Sequence, residues 1–315
     1  MRQPINKAHI EGRIYEHTLE IKTVKNEQSQ NFGKEFIGGI LKVATDEAGL
    51  NVIPVEYTYV TATTSTGKAN NTYSALKKII ETGKTWIVDG KDAATMVSLD
   101  TNIGLNDFYN NNDELVSAKR CNGGFVNIVT ELKKDENARN TFEVDMLITN
   151  IKHIEENEEK KIPAYTSVSG AVFDFRQSFL PVEFIVDKPN GMQHFEALEA
   201  TNANPIYTKV WGNIISRTII TTETEEGAFG EPLIREVQRK SKKWVIASTS
   251  KYPYDFGDEK ILTMEEVQKA IQNREIYLAE VKKRAEDYKT QKQANALSAP
   301  TANVAAHVTT GEFQF

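Results

Sequence analysis

The residues of this sequence best suited to chemistry are cations set beside aromatic rings. Residues 234–243 hold Arg235, Arg239, Lys240, Lys242 and Lys243 against one acid, Glu236, and Trp244 follows directly. A second cluster comprises Phe173, Phe175, Arg176 and Phe179. The first part of the chain adds Arg13, Tyr15, Lys22, Phe36, Lys42, Tyr57 and Tyr59, then Lys68, Lys119 and Arg120. Cations that follow a phosphodiester backbone, with rings on which bases stack, are what a protein needs to hold an unpaired nucleic-acid strand. Each group also has an ordinary structural reading. Lysine protects a sheet edge against unwanted pairing. Pairs at period two, such as Phe173 with Phe175 and Tyr57 with Tyr59, share one strand face, and that face can equally be core.

Catalytic patterns are not met. Thr82-Gly83-Lys84-Thr85 resembles the end of a phosphate loop, but Lys78 stands where its first glycine belongs, and Ala69 replaces the hydroxyl needed after Gly67-Lys68. No Gly-x-Ser-x-Gly elbow occurs. His9, His17, His153, His194 and His307 form no His-Glu-x-x-His or zinc pattern. Cys121 follows Lys119 and Arg120, which would lower its pKa if exposed, but an ordinary thiol is expected. The expectation is no catalytic residue, no metal and no cofactor.

Composition bounds the rest. The chain has 315 residues, 39% hydrophobic and 26% charged, enough for two packed domains. Its net charge of −6 opposes nucleic-acid binding unless the basic residues gather locally. No apolar run is long enough to span a bilayer. Met1-Arg2-Gln3-Pro4 has no secretory apolar region, and a single cysteine allows no disulfide within the chain, so a cytoplasmic protein is expected.

The elements that must position these residues are mainly strands. Segments 8–24, 35–43 and 50–60 read as strands, the last two joined by the turn Asp46-Glu47-Ala48-Gly49. Residues 61–71 read as a polar loop and 73–81 as a short amphipathic helix stopped by Gly83. Residues 86–88, 95–99 and 125–132 read as strands, and 108–114 as an Asn-rich loop. A second series follows: strands 141–154, 168–175 and 179–186, a turn at Lys188-Pro189-Asn190-Gly191, a helix over 192–200, and strands 206–222 and 233–247. Thr263 with Glu266 forms a capping box for a helix over 263–290. In it, Val267, Ile271, Arg274, Leu278, Val281, Ala285 and Tyr288 recur at heptad spacing, with Arg274 off-pattern. Residues 291–315 read as a flexible tail with an aromatic tip, Phe313 and Phe315.

Strands, a short helix and further strands, twice over, with the first helix following three strands and with Gly12, Gly170 and Gly212 inside strand runs, predict two small OB-like barrels over 1–134 and 141–256. The layout resembles the OB-fold single-stranded DNA-binding proteins, especially those of bacteriophages. The opening strand with its internal glycine, the helix after three strands, the basic and aromatic strands and the tail ending in Phe315 carry that resemblance. It implies single-stranded DNA as ligand, a part in replication or recombination, and docking of replication or repair proteins by Phe313 and Phe315. Tails of that family are strongly acidic, whereas this tip has only Glu312. The competing expectation is a structural or assembly protein, viral in origin, whose β domains contact other proteins and whose 263–290 helix drives homo-oligomerisation.

Overall fold

The structure, a computed structural model, describes residues 3–157, 162–225, 229, 233–256 and 262–298. The chain is mainly β. Its elements run β1 (Asn6–His17), β2 (Glu20–Thr23), β3 (Glu35–Ala44), β4 (Val52–Thr61), α1 (Asn71–Thr82), α2 (Trp86–Asp89), β5 (Met96–Tyr109) and β6 (Leu115–Ile128). After a 3-10 turn at Glu136–Arg139 come β7 (Asn140–Ile154), β8 (Tyr165–Phe173), β9 (Phe179–Val186), α3 (Pro189–Glu196), β10 (Ile206–Glu225), β11 (Leu233–Thr249) and α4 (Met264–Ser298).

Strand pairing closes two rings. β1 pairs with β3, β3 with β4, β4 with β6 in parallel, β6 with β5, and β5 returns to β1. The second ring repeats the order with β7, β8, β9, β11 and β10, again with the third and fifth strands parallel. This is the connectivity of the OB-fold, with a helix between the third and fourth strands. β1 must bend sharply, because residues 8–13 pair with β5 while residues 13–17 pair with β3. Gly12 sits at that bend, and a methyl group there would lie 2.0 Å from the Ala44 carbonyl oxygen, so only glycine fits. Gly212 lies at a bulge in β10, where a methyl group would come 1.9 Å from the Val245 carbonyl oxygen.

Alternation fills both cores. Along β4, Ile53, Val55 and Tyr57 point inward while Pro54 and Glu56 lie outside. α1 begins at Asn70, whose side chain accepts from the Thr72 amide at 3.1 Å, and it buries Tyr73, Leu76 and Ile79. Burial of Leu76 and Ile79 contributes about 1.5–3 kcal/mol each. The second ring packs Phe142, Phe184 and Trp244 together, with centroids 4.9–6.0 Å apart.

The rings share one sheet because β1 also pairs antiparallel with β7. Asn6 ties the junction: its amide donates to the carbonyls of Ile103 and Phe173, and its oxygen accepts from the Ile103 amide. The fully buried Asp145 accepts from the Ile5 amide at 2.7 Å and the Tyr254 hydroxyl at 2.8 Å.

Several local expectations are corrected. Residues 86–88 form one helical turn, not a strand; three apolar residues cannot distinguish the two periods. β5 runs on past the expected 95–99 to Tyr109 and β6 starts at Leu115, so the stretches on either side of the Asn-rich loop are a paired hairpin and the loop itself is confined to 110–114. Much of the hairpin's outer surface meets solvent, which is why its sequence looks unlike a strand. Pro189 starts α3 at its first turn instead of making a separate turn, because its missing N–H costs nothing there. β8 ends at Phe173, so Phe173 and Phe175 do not share a face. The capping box is present, with Thr263 and Glu266 bonded reciprocally. α4 continues to Ser298, beyond the expected 290. Its apolar stripe is occupied within the chain: Val267 and Ala270 are buried with Leu147, Phe173 and Tyr207. Arg274 is off-pattern because it meets Asp107 of β5 in a two-pronged pair at 2.6 and 2.8 Å. The start of the stripe is therefore filled by the β body and not by a second copy. The tip residues Phe313 and Phe315 lie outside the described residues.

Candidate functional site

Where the rings join, the outer faces of β6, β5, β1, β7, β10 and β11 lie side by side and enclose a cleft of about 940 Å³. Phe125 of β6, 69% exposed, stands on one wall and Trp211 of β10, 36% exposed, on the other. Lys209 lies two residues before Trp211, on the same strand face, and its ammonium sits 5.6 Å from the indole centroid. Lys209 also pairs with Glu143 at 3.1 Å. On the floor, His9 meets Asp100 through Nδ1 at 3.0 Å and Glu11 through Nε2 at 3.2 Å, with the Lys133 ammonium 2.8 Å from Nε2. Lys7 completes the lining.

A second cleft of about 600 Å³ lies between the β5–β6 hairpin, the β8–β9 turn and α4, and shares Asn102 with the first. Its floor is Gly104, Gly123 and the paired amides of Asn102 and Asn122, 3.2 Å apart. The turn on its rim is built by Asp174, whose carboxylate accepts from the amides of Arg176 and Ser178 at 2.8 Å, with Gln177 in the left-handed region. That turn lifts Phe175, 67% exposed, into solvent, with the Arg176 guanidinium 5.1 Å from its ring. Across the cleft, the Arg274 guanidinium lies 5.8 Å from the ring of the exposed Tyr277.

The residues expected from sequence are divided by the fold. Trp244 is buried in the second core and Tyr57 in the first, so no base reaches either ring, and their stacking role is replaced by packing. Tyr59 is exposed and pairs with Phe36 at 4.7 Å. Tyr15 is half-buried against Trp86. Three of the six expected cations of the first ring are neutralised: Lys42 by Glu16, Lys22 by Glu20 at 3.7 Å, and Arg120 by Glu56 at 2.7 Å. Arg13 is half-buried, with its Nε enclosed and unbonded, and Lys68 is exposed in a loop. Arg235, Lys242 and Lys243 are exposed on a two-stranded ribbon that β10 and β11 form after β10 leaves β7. Arg239 and Lys240 lie opposite Ile219 and Thr218 in that ribbon, and their side chains lie outside the described residues. Of the expected residues, Arg120, Phe175, Arg176 and Phe179 line the two clefts. Lys7, Phe125, Lys209, Trp211, Arg274 and Tyr277 were not anticipated. The two-residue spacing of Lys209 and Trp211 in a strand, and the three-residue spacing of Arg274 and Tyr277 in a helix, were the available signals.

Lys119 bridges the rings. Its ammonium donates to the Glu183 carbonyl and lies 5.5 Å from the Phe184 ring centroid. Desolvation pushes its pKa down to about 8, partly opposed by Glu183. The ordinary value is 10.5, so between pH 8 and 10.5 the unfolded chain holds more protons and stability rises with pH. Cys121, buried with its thiol pushed up to about 12, pulls stability the opposite way above its ordinary value of 9.0. Lys119→Met therefore removes the rising component only. Urea unfolding across this window is expected to show stability declining more steeply with pH in the variant than in the native chain.

The profile of the YorF family matches residues 5–284. The chain belongs to the YorF family. None of the curated proteins matches this YorF-family chain. Among solved structures it is similar to a mutant, carrying a deletion and a substitution, of the single-stranded DNA binding protein from Thermus aquaticus. The identity is 11% and the TM-score 0.46, over 82% of this chain and 100% of that one. Among the described residues no cluster of His, Cys, Asp and Glu is arranged to hold a metal ion, and no helix is long and apolar enough to cross a membrane.

Proposed function

We propose that this protein binds single-stranded DNA along the two clefts that meet at Asn102. The observation that carries this reading is a repeated pairing on their walls: Lys209 with Trp211 and Arg176 with Phe175, each an exposed ring beside its own cation, with the exposed ring of Tyr277 across the second cleft. The ring takes the face of a base and the cation a neighbouring phosphate. Duplex bases already stack on each other and offer no free face, so the arrangement favours unpaired strands. Binding depends on the potential at the cleft and not on the net charge of −6 summed over the chain. The two rings, over 1–134 and 141–256, act as two binding units of one site. The role in the cell is to cover strands exposed during replication or recombination, with Phe313 and Phe315 docking partner proteins.

The test is a fluorescence-anisotropy titration with labelled oligothymidine and with a duplex of equal length. Tight binding to oligothymidine that weakens linearly in log salt, with far weaker binding to duplex, is expected. Equal affinity for both, or none for either, overturns the reading.

A further inference from the structure

We infer that the strand continues out of the central cleft into a third cleft beneath α3, which takes its phosphodiester groups. This deepens the proposed function and rests on it. The third cleft, about 730 Å³, shares Ala247 of β11 with the central one. Lys188, His194 and Lys251 line it together with the hydroxyl residues Ser248 and Ser250, and no carboxylate does. The other two clefts differ: Asp100 and Glu143 line the central one, and Asp107 and Asp174 the one beside α4.

Lys188 and Lys251 make no ion pair among the described residues, whereas Lys42, Lys22 and Arg120 each have a carboxylate partner. An unpaired ammonium meets an incoming phosphate without first giving up a protein partner. The third cleft is also fixed to the wall of the central one. The Lys209 carbonyl accepts from the Thr249 hydroxyl at 3.0 Å and the Ser250 amide at 2.9 Å, so the end of β11 is held against the strand that carries Trp211. Next to Lys251, Tyr252 is 71% exposed with the ammonium 5.3 Å from its ring centroid. The pairing of cation and ring found in the other clefts thus recurs here.

The experiment compares the native chain with Lys188→Ala/Lys251→Ala on a long oligothymidine, about 32 nucleotides, and a short one, about 8 nucleotides, across a salt series. Each lost phosphate contact on a single strand lowers the slope of log affinity against log salt by about 0.7. On the long strand the double variant is expected to lose about 1.4 from that slope and to bind several-fold more weakly in low salt. Removing two charges on α1 instead, by Lys77→Ala/Lys78→Ala, is expected to leave the slope unchanged. Thermal unfolding of both variants checks that the exposed substitutions leave the fold intact. An unaltered slope in the Lys188/Lys251 variant, while the native chain binds, overturns the third cleft alone. An equal loss in the Lys77/Lys78 variant also overturns it, because bulk charge then explains the effect. A native chain that binds neither strand overturns the proposed function itself.

Discussion

Replacing Phe125 and Trp211 together by alanine is expected to lower affinity for oligothymidine by one to four orders of magnitude. Each ring that stacks on a base is worth roughly 1–3 kcal/mol, a factor of about 5 to 150. Phe125 is 69% exposed and Trp211 36%, and neither belongs to a core cluster. Exposed positions of this kind usually change stability by about 0.5 kcal/mol or less. Unfolding should therefore be almost unaltered while binding collapses. The salt slope should stay near its native value, because no cation is removed. Anisotropy titration of the double variant at several salt concentrations reads both quantities. Native affinity in the double variant would remove the central cleft from the proposed site. Trp244→Ala is the contrasting case: its ring packs against both Phe142 and Phe184, so a loss of binding there would report a damaged core.

The second large effect concerns the attachment of α4. The side chain of Asp107 is 2% exposed and that of Arg274 10%, so their pair is almost fully withdrawn from water. Ser117 adds a hydroxyl to the Asp107 carboxylate at 2.6 Å. Removing one partner of a buried pair strands the other charge and typically costs about 3–5 kcal/mol. Asp107→Ala is expected to lower stability by that order, whereas Asp107→Leu/Arg274→Met, which removes both charges and restores apolar volume, should recover most of it. Chemical denaturation of the native chain, the single variant and the double variant decides this. A single variant as stable as the native chain would show that the pair does not hold the helix.

Some of this was legible from the residues alone. Glycines inside apolar strand runs point to sharp bends, and Gly12 proves to be where β1 passes from one partner to another. The box of Thr263 and Glu266 marked the start of α4, since a cap is a local arrangement written in four consecutive positions. The run from Arg235 to Lys243 was visible as charge, and the fold places Lys242 and Lys243 on an exposed ribbon. The hairpin of β5 and β6 was obscured by its asparagines and glycines. What makes it a strand pair is the partner strand, and no local propensity records that.

The sequence by itself determined that the protein is mainly β, that its strands come in two matching series and that a capped helix follows. Those properties depend on near neighbours in the chain: alternation, turn chemistry and capping. Only the tertiary structure decided which rings and charges reach solvent. Alternation at period two assigns residues to a shared face but does not say whether that face is inside. Ring closure put Tyr57 and Trp244 in the cores, and the end of β8 at Phe173 freed Phe175. Neutralisation likewise needs partners far apart in the chain, as with Lys42 and Glu16 or Arg274 and Asp107. The clefts exist because β1 pairs with strands of both rings, and that pairing joins residues about as distant as His9 and Trp211 in one surface.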